Sequence, residues 1–472
     1  MLHYGPSRTE GNPAGVPLRT CNREPMIEST PLHTLHEHRL LEVLDHARRT
    51  VQMLSVVNDP WQTPLDAYAT LADKIVMETA LLILVTGRVP QAPPALVEAS
   101  QALAAHLVPY IRSDRHRALL RRHPHAAVSL GMAHQALQEA GFPDAAFDAL
   151  VADAFTSRQA QAAERLPYRH LEMLWLQTLR GQPPSTAAWA AAVQCSLLAN
   201  EAHAVHMTAD SVYALTHGLM YVTDFGQQAL PPDVDQDGVT RMLDACLAWH
   251  AVSENLDLVG ELLLGAVMTG TANTPPARFA WAVLNYTWAE FGFLPCPSFD
   301  LSTYLSLPDD ERAAYAYVHT YHTTYVAGIL SAVILTMDCR SLEWAEAPTR
   351  SAEAPSLTEP GTQLLAYQAE LARIPIWPDV LVAGPLPPHD VATVLHDALL
   401  LMAAHDHRTD VLTKALNTPP PRRTPTFEAA TNLLGRLTGK SLPDTVEPFP
   451  REALHHLGNS SRLHRAGLHQ NQ

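Results

Sequence analysis

Lysine is almost missing from this chain. Only Lys74, Lys414 and Lys440 occur among 472 residues, so the 32 basic residues include 29 arginines (32 − 3). Charged residues of both signs amount to 17%, and the formal charge is −16. Neutralising phosphate takes clustered Lys and Arg, and no basic stripe interleaved with aromatics is written here, so no nucleic-acid partner is expected. Cysteine is scarce too. Cys21, Cys195, Cys246, Cys296 and Cys339 are scattered, odd in number and never spaced as Cys-x-x-Cys, which argues against a disulfide framework and a structural zinc knot. Long hydrophobic runs are also lacking. Val326 to Met337 falls short of the roughly 18 apolar residues a membrane span needs, and Leu256 to Met268 is interrupted by Asp257 and Glu261. The first thirty residues hold no basic segment leading into an apolar one, so no secretory signal is expected. These absences together point to a soluble, cytoplasmic protein with no membrane partner.

What remains is helix after helix. From Leu35 onward the apolar residues recur at helical spacing, as in Leu71-x-x-x-Ile75-Val76 and Leu171-x-x-Leu174-Trp175-x-x-x-Leu179. About fifteen such segments follow one another, punctuated by Pro and Gly at Asp59-Pro60, Gly181 to Pro184, Leu230 to Pro232, Thr274 to Pro276 and Pro419 to Pro421. Alternating strand patterns are missing. The expected fold is all-α: an array of helical hairpins, bundled or closed into an α/α toroid. Glu139-Ala-Gly141-Phe142-Pro143 and Glu290-Phe-Gly292-Phe293-Leu-Pro295 look alike, which suggests an internal duplication or two similar helix C-caps. Residues 1–30 read as a disordered tail, 31–345 as the main helical domain, 358–440 as a C-terminal helical region and 441–472 as a loosely ordered tail. The Pro-rich stretch Ala345 to Pro360 reads as the linker.

The chemistry concentrates on one stretch. His203, His206, Asp210, Tyr213, His217 and Asp224 fall at intervals of 3, 4, 3, 4 and 7, which lines them up along one face of a single helix between Asn200 and Gly226. Apolar residues such as Val205, Met207, Val212, Leu215 and Leu219 lie between them, so the stripe is more than a wet helix face. His203, His206 and Asp210 have the spacing to hold a divalent metal with a position left for water. Without metal, His217 beside Tyr213 would form an acid/base pair, with Asp224 near it. Against both stands a third reading, in which these groups hydrogen-bond one another and fix helix packing.

A second cluster runs through Tyr315, Tyr317, His319, Tyr321, His322, Thr323, Thr324 and Tyr325 and leads into an apolar helix. It reads either as a pocket mouth, with His319, His322 and Thr323 reaching a ligand, or as the exposed first turns of a core helix. Glu254, Asp257 and Glu261 lie at spacings of 3 and 4 on a helix of Leu, Val and Gly. They read as paired buried carboxylates or as the wet face of a half-buried helix. Asp233-Val-Asp235-Gln-Asp237-Gly238 with Asp244 has EF-hand spacing. The preceding Pro231-Pro232 and the Thr240 at an apolar position favour instead an acidic turn in which Asp237 N-caps the next helix. No phosphate loop, Gly-x-Ser-x-Gly elbow, His-Glu-x-x-His motif or paired Glu-x-x-His set is present.

Three strings carry a resemblance. Tyr213-x-x-Thr216-His217-x-x-x-Tyr221-x-Thr223-Asp224-Phe225-Gly226, Leu256-Asp257-Leu258-x-x-Glu261-Leu262-Leu263 and Tyr321-His322-Thr323-Thr324-x-x-x-Gly328 resemble a bacterial all-helical family of unknown function, over roughly residues 190–335. With no activity to carry over, the resemblance implies only that the three strings belong to one site. Two functions then compete. One is an enzyme of specialised metabolism acting on a small molecule or peptide, its pocket lined by His203, His206, Asp210, Tyr213, His217, His322 and Glu261. The other is a helical scaffold that binds a peptide or protein in a groove.

Overall fold

The computed structural model describes residues 32–57, 70–337, 358–371, 373, 375–383 and 386–439. Among these, twenty α-helices and two short 3-10 turns follow one another and no strand occurs, so the fold is all-α as the spacing predicts. The helices outnumber the periodic segments because side-chain caps divide them. Ser113, Asp144, Ser157 and Ser185 each accept a backbone N–H three residues on and start a new helix within a longer apolar run.

The helix Asp309–Thr336 runs through the centre and packs on Leu32–Val57, Leu71–Thr86 and Leu256–Met268. Two glycines allow this. A β-carbon at Gly328 would lie 2.6 Å from Cγ1 of Val43, and one at Gly260 would lie 2.7 Å from Cγ1 of Val326. Backbones can approach that closely only where the side chain is absent. Ala209–Val222 packs on Leu256–Met268 from the other side and is backed by Pro167–Leu179. Five of these six helices, all but Leu32–Val57, surround one spot.

Pro388–His405 packs on Gln236–Val252 and Pro275–Phe291, and its Leu395, Leu399 and Leu400 belong to the same buried cluster as Leu258 and Leu262. The expected tails, 1–30 and 441–472, and most of the expected linker lie outside the described residues. The two similar turns share a local cause: Gly141 (φ 96°) and Gly292 (φ 73°) both end helices in the left-handed conformation. No helix among the described residues is long and apolar enough to cross a membrane.

The expected single helix over 200–226 is broken. His203 caps a 3-10 turn, Ala204–His206, and the α-helix begins only at Ala209, where Thr208 and Ser211 form a capping box. It ends at Val222. Asp224, Phe225 and Gly226 follow with φ of 48°, 53° and 84°, so Asp224 leaves the stripe. The acidic turn is a cap, as expected, but the capping side chain is Asp235, which accepts from the N–H of Asp237. Asp244 lies on the inner side of that helix, where it accepts a hydrogen bond from Thr274.

Candidate functional site

The helix Leu256–Met268 is buried along its whole length, so its two acids do not form a wet face. Asp257 is 4% and Glu261 2% exposed. Buried carboxylates are costly without partners, and each has several. The Tyr213 hydroxyl donates to Asp257 Oδ2 at 2.5 Å, and the Thr323 hydroxyl reaches Oδ1 at 3.3 Å. The Thr216 hydroxyl donates to Glu261 Oε2 at 2.5 Å. Burial, followed by the neighbouring charge of Asp257, holds the Glu261 carboxyl well above the usual range. Glu254, expected on the same face, instead precedes the helix and accepts from the backbone of Ile376.

His322 closes the group from the central helix. Its Nε2 lies 3.2 Å from Asp257 Oδ1 and 3.9 Å from Glu261 Oε1, and its Nδ1 lies 2.8 Å from Glu78 Oε2. Burial opposes charge on this ring. The bond to Glu78 and the charges of Glu78, Asp257 and Glu261 outweigh it and raise the pKa to about 9. Lys74, one turn earlier on the helix Leu71–Thr86, stands 3.6 Å from Glu78. Asp257, Glu261 and His322 each offer a ligand atom within 4.8 Å of the other two, and among the described residues no other trio of His, Cys, Asp or Glu does so.

His217 borders the group in a different state. Its Nδ1 lies 2.9 Å from the carbonyl oxygen of Tyr213, which can only accept, so Nδ1 carries the proton and Nε2 the lone pair. Burial, then the charge of Arg169, lowers its pKa to about 4. Tyr168, Tyr213 and Tyr221 stand edge-on around the ring at centroid distances of 5.6, 6.2 and 6.3 Å.

These side chains open into a cleft of about 930 Å³. Glu78, Asp257, Glu261 and His322 line it together with Tyr213 and His217; Lys74, Tyr168, Arg169 and Asp210 line it as well. Its lining mixes charged and hydroxyl side chains with apolar ones such as Leu166, Pro167, Leu197 and Ala214, so the cleft offers a ligand both polar and apolar contacts.

The other expected residues lie elsewhere. His206 meets Arg436 at 2.8 Å, His203 caps its turn, and Asp210 lines the cleft from the first turn of its helix, so these three do not form a ligand group. Asp224 accepts from Trp175 at 2.6 Å and from Arg88 at 2.8 Å, holding the left-handed turn that follows the helix. His319 pairs with Ser298 and stacks on Tyr315. The residues that the sequence reading missed are Glu78, Tyr168 and Arg169; Thr216 stood in the first string without a role of its own. Glu78 had a signal: with Asp73 and Lys74 it is one of three charges on an otherwise apolar helix.

A family model described as a domain of unknown function (DUF6895) matches residues 39–332. The matched span takes in every residue that lines the cleft, from Lys74 to His322. No curated protein and no solved structure matches the chain.

Proposed function

Because the chain belongs to the DUF6895 family, a domain of unknown function, its activity has to be read from its own side chains, and we propose that the cleft is a divalent-metal centre acting on a small polar molecule or peptide. The observation that carries this reading is the convergence of Asp257, Glu261 and His322 within 4.8 Å. Two carboxylates and an imidazole suit zinc, manganese or iron, and three protein ligands leave a position for water or a carbonyl oxygen. The surroundings support it. Glu78 accepts from His322 Nδ1–H, which leaves Nε2 as the ligating nitrogen, a carboxylate–histidine arrangement common behind metal ligands. Tyr213, Thr323 and Thr216 orient the carboxylates. The cation would replace the proton now shared between His322 Nε2 and Asp257 Oδ1 and offset the charge of the three acids. At such a centre the metal polarises a bound water or substrate carbonyl. The place we assign to the reaction is the cytoplasm, with no nucleic acid involved.

A metal-free reading has one specific support: with His322 charged, Glu78, His322 and Asp257 form a closed ion network that needs no cation. Calorimetric titration of chelator-treated protein with Zn²⁺ and Mn²⁺, together with elemental analysis of the protein as purified, separates the two. The metal reading expects one site per chain that is lost in Asp257→Asn and retained in His206→Ala. Absence of a saturable site, or an equal site in Asp257→Asn, overturns it.

A further inference from the structure

The wall of the cleft beside Glu261 has a layout of its own, with His217 Nδ1 3.4 Å from Glu261 Oε2. Tyr168 and Arg169 sit at the start of the helix Pro167–Leu179, and His217 on the neighbouring helix Ala209–Val222. The Tyr168 ring touches both partners: the Arg169 guanidinium carbon lies 5.0 Å from its centroid and the His217 ring 5.6 Å from it, edge-on. One phenol ring therefore holds a guanidinium and an imidazole side by side. Arg169 Nη1 donates to Glu172 at 2.9 Å, and among the described residues nothing else accepts from its Nε or Nη2. On His217 the Tyr213 carbonyl takes the Nδ1 proton, and among the described residues no donor reaches the Nε2 lone pair. Both Arg169 and His217 line the cleft. The wall thus offers a planar set of N–H donors with positive charge, and beside it a bare acceptor.

The complement of that pair is an anion with an N–H or O–H next to it. A carboxylate fits the two N–H edges of a guanidinium, whereas a ring nitrogen with a lone pair needs a donor. We infer that the cleft recognises the C-terminal residue of a peptide or N-acyl amino acid, with the free carboxylate on Arg169 and the terminal amide N–H on Nε2 of His217. Lys74, which lines the same cleft beside Glu78, adds a second positive charge to the approach. The carbonyl of the same amide would then face Asp257, Glu261 and His322, and this last step alone rests on the metal reading. A phosphate would satisfy Arg169 and could meet His217 through a P–OH, but it carries no amide, so it serves as the control for anion binding alone. A neutral amide would satisfy His217 but not Arg169.

Calorimetry on the full chain tests this with four probes: N-acetyl-Gly-Gly, its C-terminal amide, the ester analogue lacking the terminal N–H, and inorganic phosphate. Each is titrated with and without one equivalent of Mn²⁺. The acid should bind at least about tenfold more tightly than the amide and the ester, because a site built around a donor–acceptor pair rejects ligands that leave one partner unpaired. Arg169→Gln should abolish the preference for acid over amide, and His217→Phe, which keeps a ring among the tyrosines, the preference for amide over ester. Equal binding of acid and amide, phosphate binding as tightly as the acid, or a preference unchanged in Arg169→Gln overturns the assignment. Discrimination that persists while no metal is taken up leaves this inference standing and removes the metal. Metal uptake without discrimination does the reverse.

Discussion

Gly260 lies against Val326 so closely that a β-carbon on it would come within 2.7 Å of the valine Cγ1. Gly260 falls between Asp257 and Glu261, and Val326 is one turn beyond His322. The missing side chain is thus what lets the helix bearing the acids reach the helix bearing the imidazole. Gly260→Ala should cost about 1–3 kcal/mol through overpacking, since a branched valine carbon cannot swing aside. It should also weaken metal uptake more than Gly87→Ala, at a site with ordinary room (nearest atoms 3.5 Å). Urea unfolding and metal titration of both variants check this, and equal metal affinity in the two sinks it.

Glu78 is predicted to act through His322 rather than on a ligand. Glu78→Gln keeps the shape and removes the charge that orients the ring, and losing such a partner weakens metal affinity by roughly 10–100-fold. The melting temperature of the metal-free protein should fall as well, because Glu78 is the nearest of the charges that keep a proton on His322. Calorimetry that finds unchanged affinity removes Glu78 from the site.

Two buried carboxyls should contribute stability that falls as pH rises from about 4 to about 7. Buried histidines such as His217 and His250, whose pKa values burial lowers to about 4 and about 3, contribute in the opposite direction. Asp244 and Asp397 face each other's helices across the packing of Gln236–Val252 on Pro388–His405, and each accepts a threonine hydroxyl at 2.6 Å. Burial raises their carboxyls to about 6 and about 7; the Thr274 and Thr424 bonds act the other way, and Asp244 adds to the rise at Asp397. The folded chain therefore holds two protons that the unfolded chain releases near pH 4. That stabilisation is fully present below pH 4 and is lost by pH 7. At ~1.4 kcal/mol per unit, Asp397 alone accounts for a loss on the order of 4 kcal/mol. In Asp397→Asn the loss should shrink, so that the variant gains on the parent between pH 5 and pH 8. Parallel curves in urea unfolding would falsify the assignment.

Asp73 anchors the first turn of the helix that carries Glu78. Arg115 meets both its oxygens at 2.7 Å, His116 lies at 3.0 Å and the Tyr110 hydroxyl donates at 2.9 Å. Burial opposes the charge, but these partners hold the carboxyl far below its ordinary range. Asp73→Ala leaves the Arg115 guanidinium buried without its counter-ion and should cost about 3–5 kcal/mol. Asp45→Ala, whose Arg48 and Arg49 partners are solvent-exposed, should cost under about 1 kcal/mol. Similar melting temperatures for the two variants contradict this.

Helical spacing made the fold class readable, and the three strings around Tyr213, Asp257 and His322 named six side chains that do meet: Tyr213, His217, Asp257, Glu261, His322 and Thr323. Their position in the core was partly readable as well, since acids on a helix of Leu and Val must find partners. The break before Ala209 was missed because spacing carries no information about caps, although Thr208 and Ser211 spell one. His203 and His206 therefore fell in line on paper and apart in space. Glu78 was missed for a different reason: nothing local ties it to a ring far along the chain.

Glu78 and His322 stand 244 positions apart, and the other walls of the cleft come from helices scattered between them. No fragment that separates Glu78 from His322 can hold this site. Whatever binds in the cleft binds only the completely assembled array, so each tenfold of concentration above its dissociation constant adds ~1.4 kcal/mol to the stability of the whole array rather than of one local segment. A ligand screened by thermal shift would therefore raise a single cooperative transition, and hydrogen exchange would slow on helices that it never touches.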